Sequence, residues 1–248
     1  MAVTDTIPVF DGHNDALLRL YNQHEGDPVA GFLAGGDSGH IDLPKARTGG
    51  LAGGLFAVFC PSPEKLDFSG FAAGTDVPMP PPLSLEAARA SAVRMISLLF
   101  QLERASGGQV AVCRSAGDIR AAMGRGALAA VLHIEGVECI DADLDFLEVL
   151  YAAGLRSLGP VWSRHNIFGH GVPFRFPGSP DTGPGLTEAG KRLVEACNRL
   201  GVMIDLSHIT ERGFWDVADL STAPLVATHS NAHALCPTPR NLTDDQLR

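Results

Sequence analysis

Four stretches of the 248-residue chain place histidines and carboxylates where an apolar run gives out: FDGHND at 10–15, HIEG at 133–136, DLSH at 205–208 and THSN at 228–231. Imidazole nitrogens and carboxylate oxygens are the usual ligands of zinc besides thiolates. His13 and Asp15 lie two residues apart, so on an extended backbone both side chains reach the same side. His133 and Glu135 have the same spacing and share a face, so spacing alone leaves open which of them is a ligand. Two histidines and one carboxylate make a site for one ion. Three histidines and two carboxylates, one of them bridging, make a site for two.

Each stretch also has a plain reading. HxD can be a solvated loop ending in a helix N-cap. A lone glutamate can be a salt-bridged surface group, and a lone histidine after a strand can be a satisfied core residue. Repetition at the end of strand after strand argues for one shared site. His24, His40 and His170 fall in loops without such a pattern and read as surface residues. His233 also reads as outside the ligand set.

The elements that must position these residues alternate. Apolar runs at 7–10, 51–60, 127–136, 155–162, 202–208 and 223–231 read as strands. Helical patterns separate most of them, the clearest being SLEAARASAVRMISLLFQLERA, with Ser84 as N-cap, and LTEAGKRLVEACNRLG, capped by Thr187 and ended by Gly201. Residues 22–50 read as loop with short helical turns, and the Pro-rich stretch 61–83 and the segment 163–185 read as loops. Six strands alternating with helices fit parallel βα units, in a doubly wound sheet or a (β/α)₈ barrel. In a parallel barrel the C-terminal strand ends converge on one face, where barrel enzymes place their chemistry. No GxGxxG follows the first strand and no P-loop occurs, so both nucleotide-binding folds lose ground.

Composition narrows the class. Hydrophobic residues make up 45%, enough for a substantial core, and 19 Lys and Arg against 28 Asp and Glu give a net charge of −9, which disfavours a nucleic-acid partner. No run is long and apolar enough for a membrane span, and no secretory signal is visible. The five cysteines, Cys60, Cys113, Cys139, Cys197 and Cys236, are odd in number and widely spaced, as expected of reduced thiols in a cytoplasmic protein.

The stretches FDGHND, HIEG, GLTEAGKRLVEACNRLGVMIDLSH and THSNAHALCPTPRN occur in the order found in a known family. Through them the chain resembles the membrane (renal) dipeptidase family of zinc peptidases and its bacterial soluble relatives. The resemblance implies a (β/α)₈ TIM barrel of metallo-hydrolase type that holds two Zn²⁺ per chain and cleaves dipeptides with a hydroxide shared by the metals. By this resemblance His13 and Asp15 hold one zinc, His208 and His229 hold the other, and the catalytic Glu135 bridges them. Arg240 matches the arginine that grips the substrate carboxylate. The small-molecule dipeptide is the expected partner, and a homodimer is compatible with the family.

Two departures accompany the likeness. Many members carry a histidine after strand four that polarises the scissile carbonyl. Here LGPVWSRHNIFGHG puts Trp162 nearer that place and His165 slightly beyond it, so His165 is the expected substrate-binding residue, with Arg164 as the alternative donor. The family's GSDFDG-like segment, whose aspartate handles protons, has no counterpart in this sequence. The expectation is a single domain over 1–248 with about six of the eight βα units, truncated at its C-terminus. Two other readings stand beside the dipeptidase. One is a different binuclear, amidohydrolase-like hydrolase, although those commonly begin with HxH rather than HND. The other is an inactive binding protein, favoured by the missing aspartate segment.

Overall fold

The computed structural model describes residues 7–64, 66–68 and 77–248. Parts of the Pro-rich 61–83 stretch, residues 65 and 69–76, thus lie outside the described residues. The first strand, β1 (Val9–Asn14), runs through FDGHN rather than ending ahead of His13. Three short helices follow, α1 (Ala16–Tyr21) just ahead of the 22–50 stretch, and α2 (Pro28–Ala34) and α3 (Leu43–Gly49) within it, where loop with short helical turns is expected. Six or seven residues are too few to show a helical period, but local chemistry sets two of them. Asp27 accepts the N–H groups of Val29 and Ala30, Asp42 accepts that of Lys45, and a proline sits in each first turn.

Next come β2 (Leu51–Phe59), the long helix α4 (Leu85–Ala105), β3 (Val110–Val112), α5 (Ala116–Gly124) and β4 (Leu128–Glu135). Then α6 (Asp145–Ala153), β5 (Ser157–Gly159), α7 (Glu188–Leu200), β6 (Met203–Ile204), α8 (Glu211–Leu220) and α9 (Asp244–Leu247) complete the order. Ser84 caps α4 and Thr187 caps α7, as their sequences predict.

All strand pairings are parallel, in the order β1-β2-β4-β5-β6, with β3 beside the N-terminal half of β4. The architecture is α/β: a curled parallel sheet forming a half-barrel, with most helices on its outer face and α5 against the inner side, an incomplete barrel of the expected kind. Its strand list differs from the expected one. The three-residue β3 is too short to signal itself. The run 223–231 pairs only through a single bridge between Asp205 and Val226, and the run 202–208 keeps only two residues as strand before it turns.

Strict alternation on β4 explains how the sheet carries both core and site. Leu128, Ala130, Leu132 and Ile134 point outward into the main hydrophobic cluster under the helices. Ala129 and Val131 point inward, into a second cluster that α5 covers through Ala122 and Ile119. Period two then aims His133 and Glu135 inward as well. Gly12 lets the sheet curl: a Cβ there would sit 2.6 Å from the Thr228 carbonyl oxygen, so only glycine permits β1 to lie this close to the segment bearing His229.

Candidate metal centre

The structure brings His13, Asp15, Glu135, His208 and His229 into one group, the residues resemblance had nominated. Each arrives by a different local device. His13 sits in a bulge of β1: Asp11 pairs with Gly54 and Asn14 with Phe56, so three steps on β1 match two on β2. A bulge re-aims side chains, and here it turns His13 inward just after Gly12. Asp15 is already past the strand, at the N-cap of α1, and its side chain is 58% exposed. Neighbouring Asn14 accepts the Ala16 N–H, which shapes this turn. Glu135 is the last residue of β4. His208 lies on a turn beyond β6 with φ 71, an unusual left-handed backbone for a histidine. His229 follows Thr228 on the final barrel segment.

Glu135 stands at the middle. Its Oε1 is 3.1 Å from the Nε2 atoms of both His208 and His229, and those nitrogens are 3.2 Å apart. Its Oε2 is 3.7 Å from His13 Nε2, which in turn is 3.8 Å from Asp15 Oδ1. One carboxylate oxygen thus faces each trio.

The protonation pattern favours a cation here. Thr228 Oγ1 donates to Asp205 Oδ2 at 2.6 Å, so it can only accept from His229 Nδ1, 2.8 Å away. That proton placement leaves His229 Nε2 with a bare lone pair aimed at a carboxylate oxygen and another imidazole. His208 Nδ1 is engaged by Ser163 Oγ at 2.9 Å, also leaving Nε2 towards the centre. Glu135 Oε1 and His13 Nδ1 are buried without a hydrogen-bond partner among the described residues. Ligand atoms at the corners of a tetrahedron with bonds of 2.0–2.1 Å are about 3.3 Å apart. The observed 3.1 and 3.2 Å fit that spacing.

Electrostatics agree. Burial, followed by the nearby Arg240 charge, pushes His208 down to about 4, so it stays neutral. Burial likewise pushes His133 down to about 4. His13 is raised: burial opposes this, and the Asp15, Glu135 and Asp205 carboxylates outweigh it.

His133, the rival of Glu135, lies one layer deeper. Its Nδ1 meets Ser157 Oγ at 2.8 Å, and its ring packs edge-on against that of His13. Arg240 reaches the rim of the group, with Nη2 donating to the His229 carbonyl at 3.2 Å, and burial lowers it to about 10. His165 does not join. It is exposed, packs against the tilted ring of His170 with ring centroids 4.7 Å apart, and lines a separate cavity with Leu83 and Ile167. Arg164 is not a free donor either. Fully buried, it donates to Glu138 Oε1, Ser62 Oγ and the Cys60 carbonyl at 2.7–2.8 Å. Trp162, by contrast, does stand beside the centre, 5.9 Å from the His208 ring and edge-on to Phe59 and Phe174.

Residue-type reasoning misses Asp205, Ser163 and Thr228. Asp205 leaves one trace, a carboxylate inside the apolar run VMIDL. The two hydroxyl residues leave none.

Comparison with known proteins points the same way. The model of the membrane dipeptidase family (Peptidase family M19) matches residues 1–248. A protein of the PQQ-III 3' region of Acinetobacter calcoaceticus is 42% identical over 98% of this chain and 76% of its own length. A metallo peptidase from Rhodobacter sphaeroides, solved with a phosphinate mimic of the dipeptide L-Ala-D-Ala, superposes with a TM-score of 0.94 at 55% identity, over 98% of this chain and 70% of that one. The probable dipeptidase PvdM from Pseudomonas aeruginosa gives 0.77 at 30% identity, over 97% of this chain and 56% of its own. The chain belongs to the membrane dipeptidase family, peptidase family M19.

Proposed function

We propose that this chain carries the metal centre of a zinc-dependent dipeptidase that holds two ions. His208 and His229 would hold one ion, His13 and Asp15 the other, and Glu135 would bridge them. The observation that carries this reading is the division of Glu135 between two trios, Oε1 towards His208 and His229 and Oε2 towards His13. Zinc suits a nitrogen-rich set of three imidazoles and two carboxylates. Bound there, the ions would supply Lewis acidity towards a scissile carbonyl and towards water.

The protein's own residues supply binding and orientation. Arg240 is a half-buried cation beside the ligand histidines, and its planar fork suits a dipeptide's free carboxylate. A carboxylate fixed there limits substrate length, since the scissile carbonyl must then fall near Glu135. Trp162 offers the substrate an aromatic wall next to His208. The dipeptide mimic bound by the Rhodobacter relative supports the substrate class. Among the described residues no helix is long and apolar enough to cross a membrane. The odd cysteine count supports a cytoplasmic location.

Hydrolysis of L-Ala-D-Ala tests the reading. Release of alanine that depends on added zinc and stops with a chelator is expected. Zinc-loaded protein that opens a lactone or deaminates a base while leaving dipeptides intact would favour the amidohydrolase-like alternative instead.

A further inference from the structure

We infer that Asp205 is a positioning residue that, through Thr228, fixes the tautomer and aim of the His229 imidazole and ties together the loops bearing His208 and His229. This rests on the proposed metal centre for its purpose, but its geometry stands independently. Asp205 is 1% exposed, and both of its oxygens are already used. Oδ1 accepts the backbone N–H of Ser207 at 3.0 Å and that of Thr228 at 2.9 Å. Oδ2 accepts the Thr228 hydroxyl at 2.6 Å. A carboxylate so occupied is poorly placed to be a metal ligand, although it lies close to His13 and His229.

Its contacts do something else. Ser207 and Thr228 each immediately precede a ligand histidine, so one carboxylate pins both loops at the residue before the ligand. A second bond between the loops, His229 N–H to Ser207 Oγ at 3.2 Å, reinforces this. The Thr228 hydroxyl has one proton. Because Asp205 takes it, the hydroxyl oxygen must receive the proton of His229 Nδ1, and Nε2 is left bare towards Glu135. Hydroxyl and carboxylate thus form a relay that selects the ligating tautomer before any ion arrives. Groups that orient a metal-bound histidine in this way are typically worth 10–100-fold in metal affinity.

The test compares Thr228→Val, which keeps shape and loses the hydroxyl, with Thr228→Ser, which keeps the hydroxyl. ¹⁵N-edited NMR of the metal-free chain reads the His229 tautomer, and competition with a chromogenic chelator reads zinc affinity. The wild-type and Thr228→Ser chains are expected to hold the Nδ1–H form. Thr228→Val is expected to populate the Nε2–H form and to bind zinc 10–100-fold more weakly. An unchanged tautomer in Thr228→Val, or Thr228→Ser behaving like Thr228→Val, overturns the inference. The tautomer is read without metal. A wild-type chain that shows the Nδ1–H form but binds no zinc would therefore count against the proposed centre and not against the relay.

Discussion

Replacing Arg164 by methionine isolates the interaction that holds the mouth of the barrel. Its guanidinium joins three loops: the one after β2 through the Cys60 carbonyl and Ser62, the one after β4 through Glu138, and its own after β5. It also lies 5.6 Å from the Trp162 ring centroid and 5.7 Å from that of Phe59, both at the aromatic wall beside His208. Arg164 is 0% exposed and Glu138 is 6% exposed. Methionine roughly conserves volume, so the dominant loss is the charge partner of a buried carboxylate, about 3–5 kcal/mol. Burial already raises the Glu138 carboxyl even with Arg164 present. Without Arg164 it protonates more readily still, so the penalty should shrink on going from pH 7 to pH 5. Adding Glu138→Gln removes the stranded charge and should restore at least about half of the lost stability. Urea unfolding followed by circular dichroism at both pH values measures all of this. A single variant costing less than about 1 kcal/mol at pH 7, or a double variant less stable than the single one, refutes the reasoning.

The metal-free chain should lose stability on acidification from about pH 6.5 to 4. His133 and His208 are both pushed down to about 4 in the fold. The unfolded chain binds those protons first, so the contribution of each is full above its unfolded pKa and lost below its folded one, on the order of 3 kcal/mol apiece. His13, raised in the fold, works in the opposite direction and offsets part of the loss. A flat urea midpoint between pH 7.5 and 4.5 would contradict this. Arg240→Met should raise KM for a dipeptide by at least about 30-fold with a much smaller change in kcat, because a ground-state ion pair is removed. Arg240→Lys should fall between, and steady-state kinetics on L-Ala-D-Ala decides. Gly12→Ala should destabilise the fold measurably in a thermal melt, since its Cβ would press on the Thr228 carbonyl at 2.6 Å. An unchanged melting temperature would show that β1 does not need this close approach.

What was legible in the sequence follows from what leaves a pattern. The long helices α4 and α7 announce themselves by period and by Ser84 and Thr187 caps, and β4 by its unbroken apolar run. The parallel α/β class follows from the alternation of such runs, which fits a doubly wound sheet as well as a barrel; the resemblance, not the alternation, points to the barrel. The proposed ligands are visible by type because an imidazole or carboxylate at the end of an apolar run is conspicuous. The geometry that unites them is not. A bulge at Gly12–His13 changes which face His13 takes, and nothing in the types of these residues marks it. His208 reaches the centre from a left-handed turn rather than from an extended strand, so counting by two fails there. Short elements are not set by period: α2 and α3 are set by caps and first-turn prolines, and β3 by its pairing with β4. Ser163 and Thr228 are invisible because a hydroxyl becomes informative only when its partner is known. The resemblance located His165 by neighbourhood. The structure turns that ring outward to His170 and puts Trp162 beside His208 instead.

The central claim is that Glu135 divides its oxygens between two metal positions. Metal content per chain, by inductively coupled plasma mass spectrometry on zinc-equilibrated wild-type and Glu135→Ala protein, tests it most directly. About two zinc ions in the wild type and at most one in the variant are predicted. A wild-type chain that holds no zinc, or a Glu135→Ala chain that still holds two, would contradict the account.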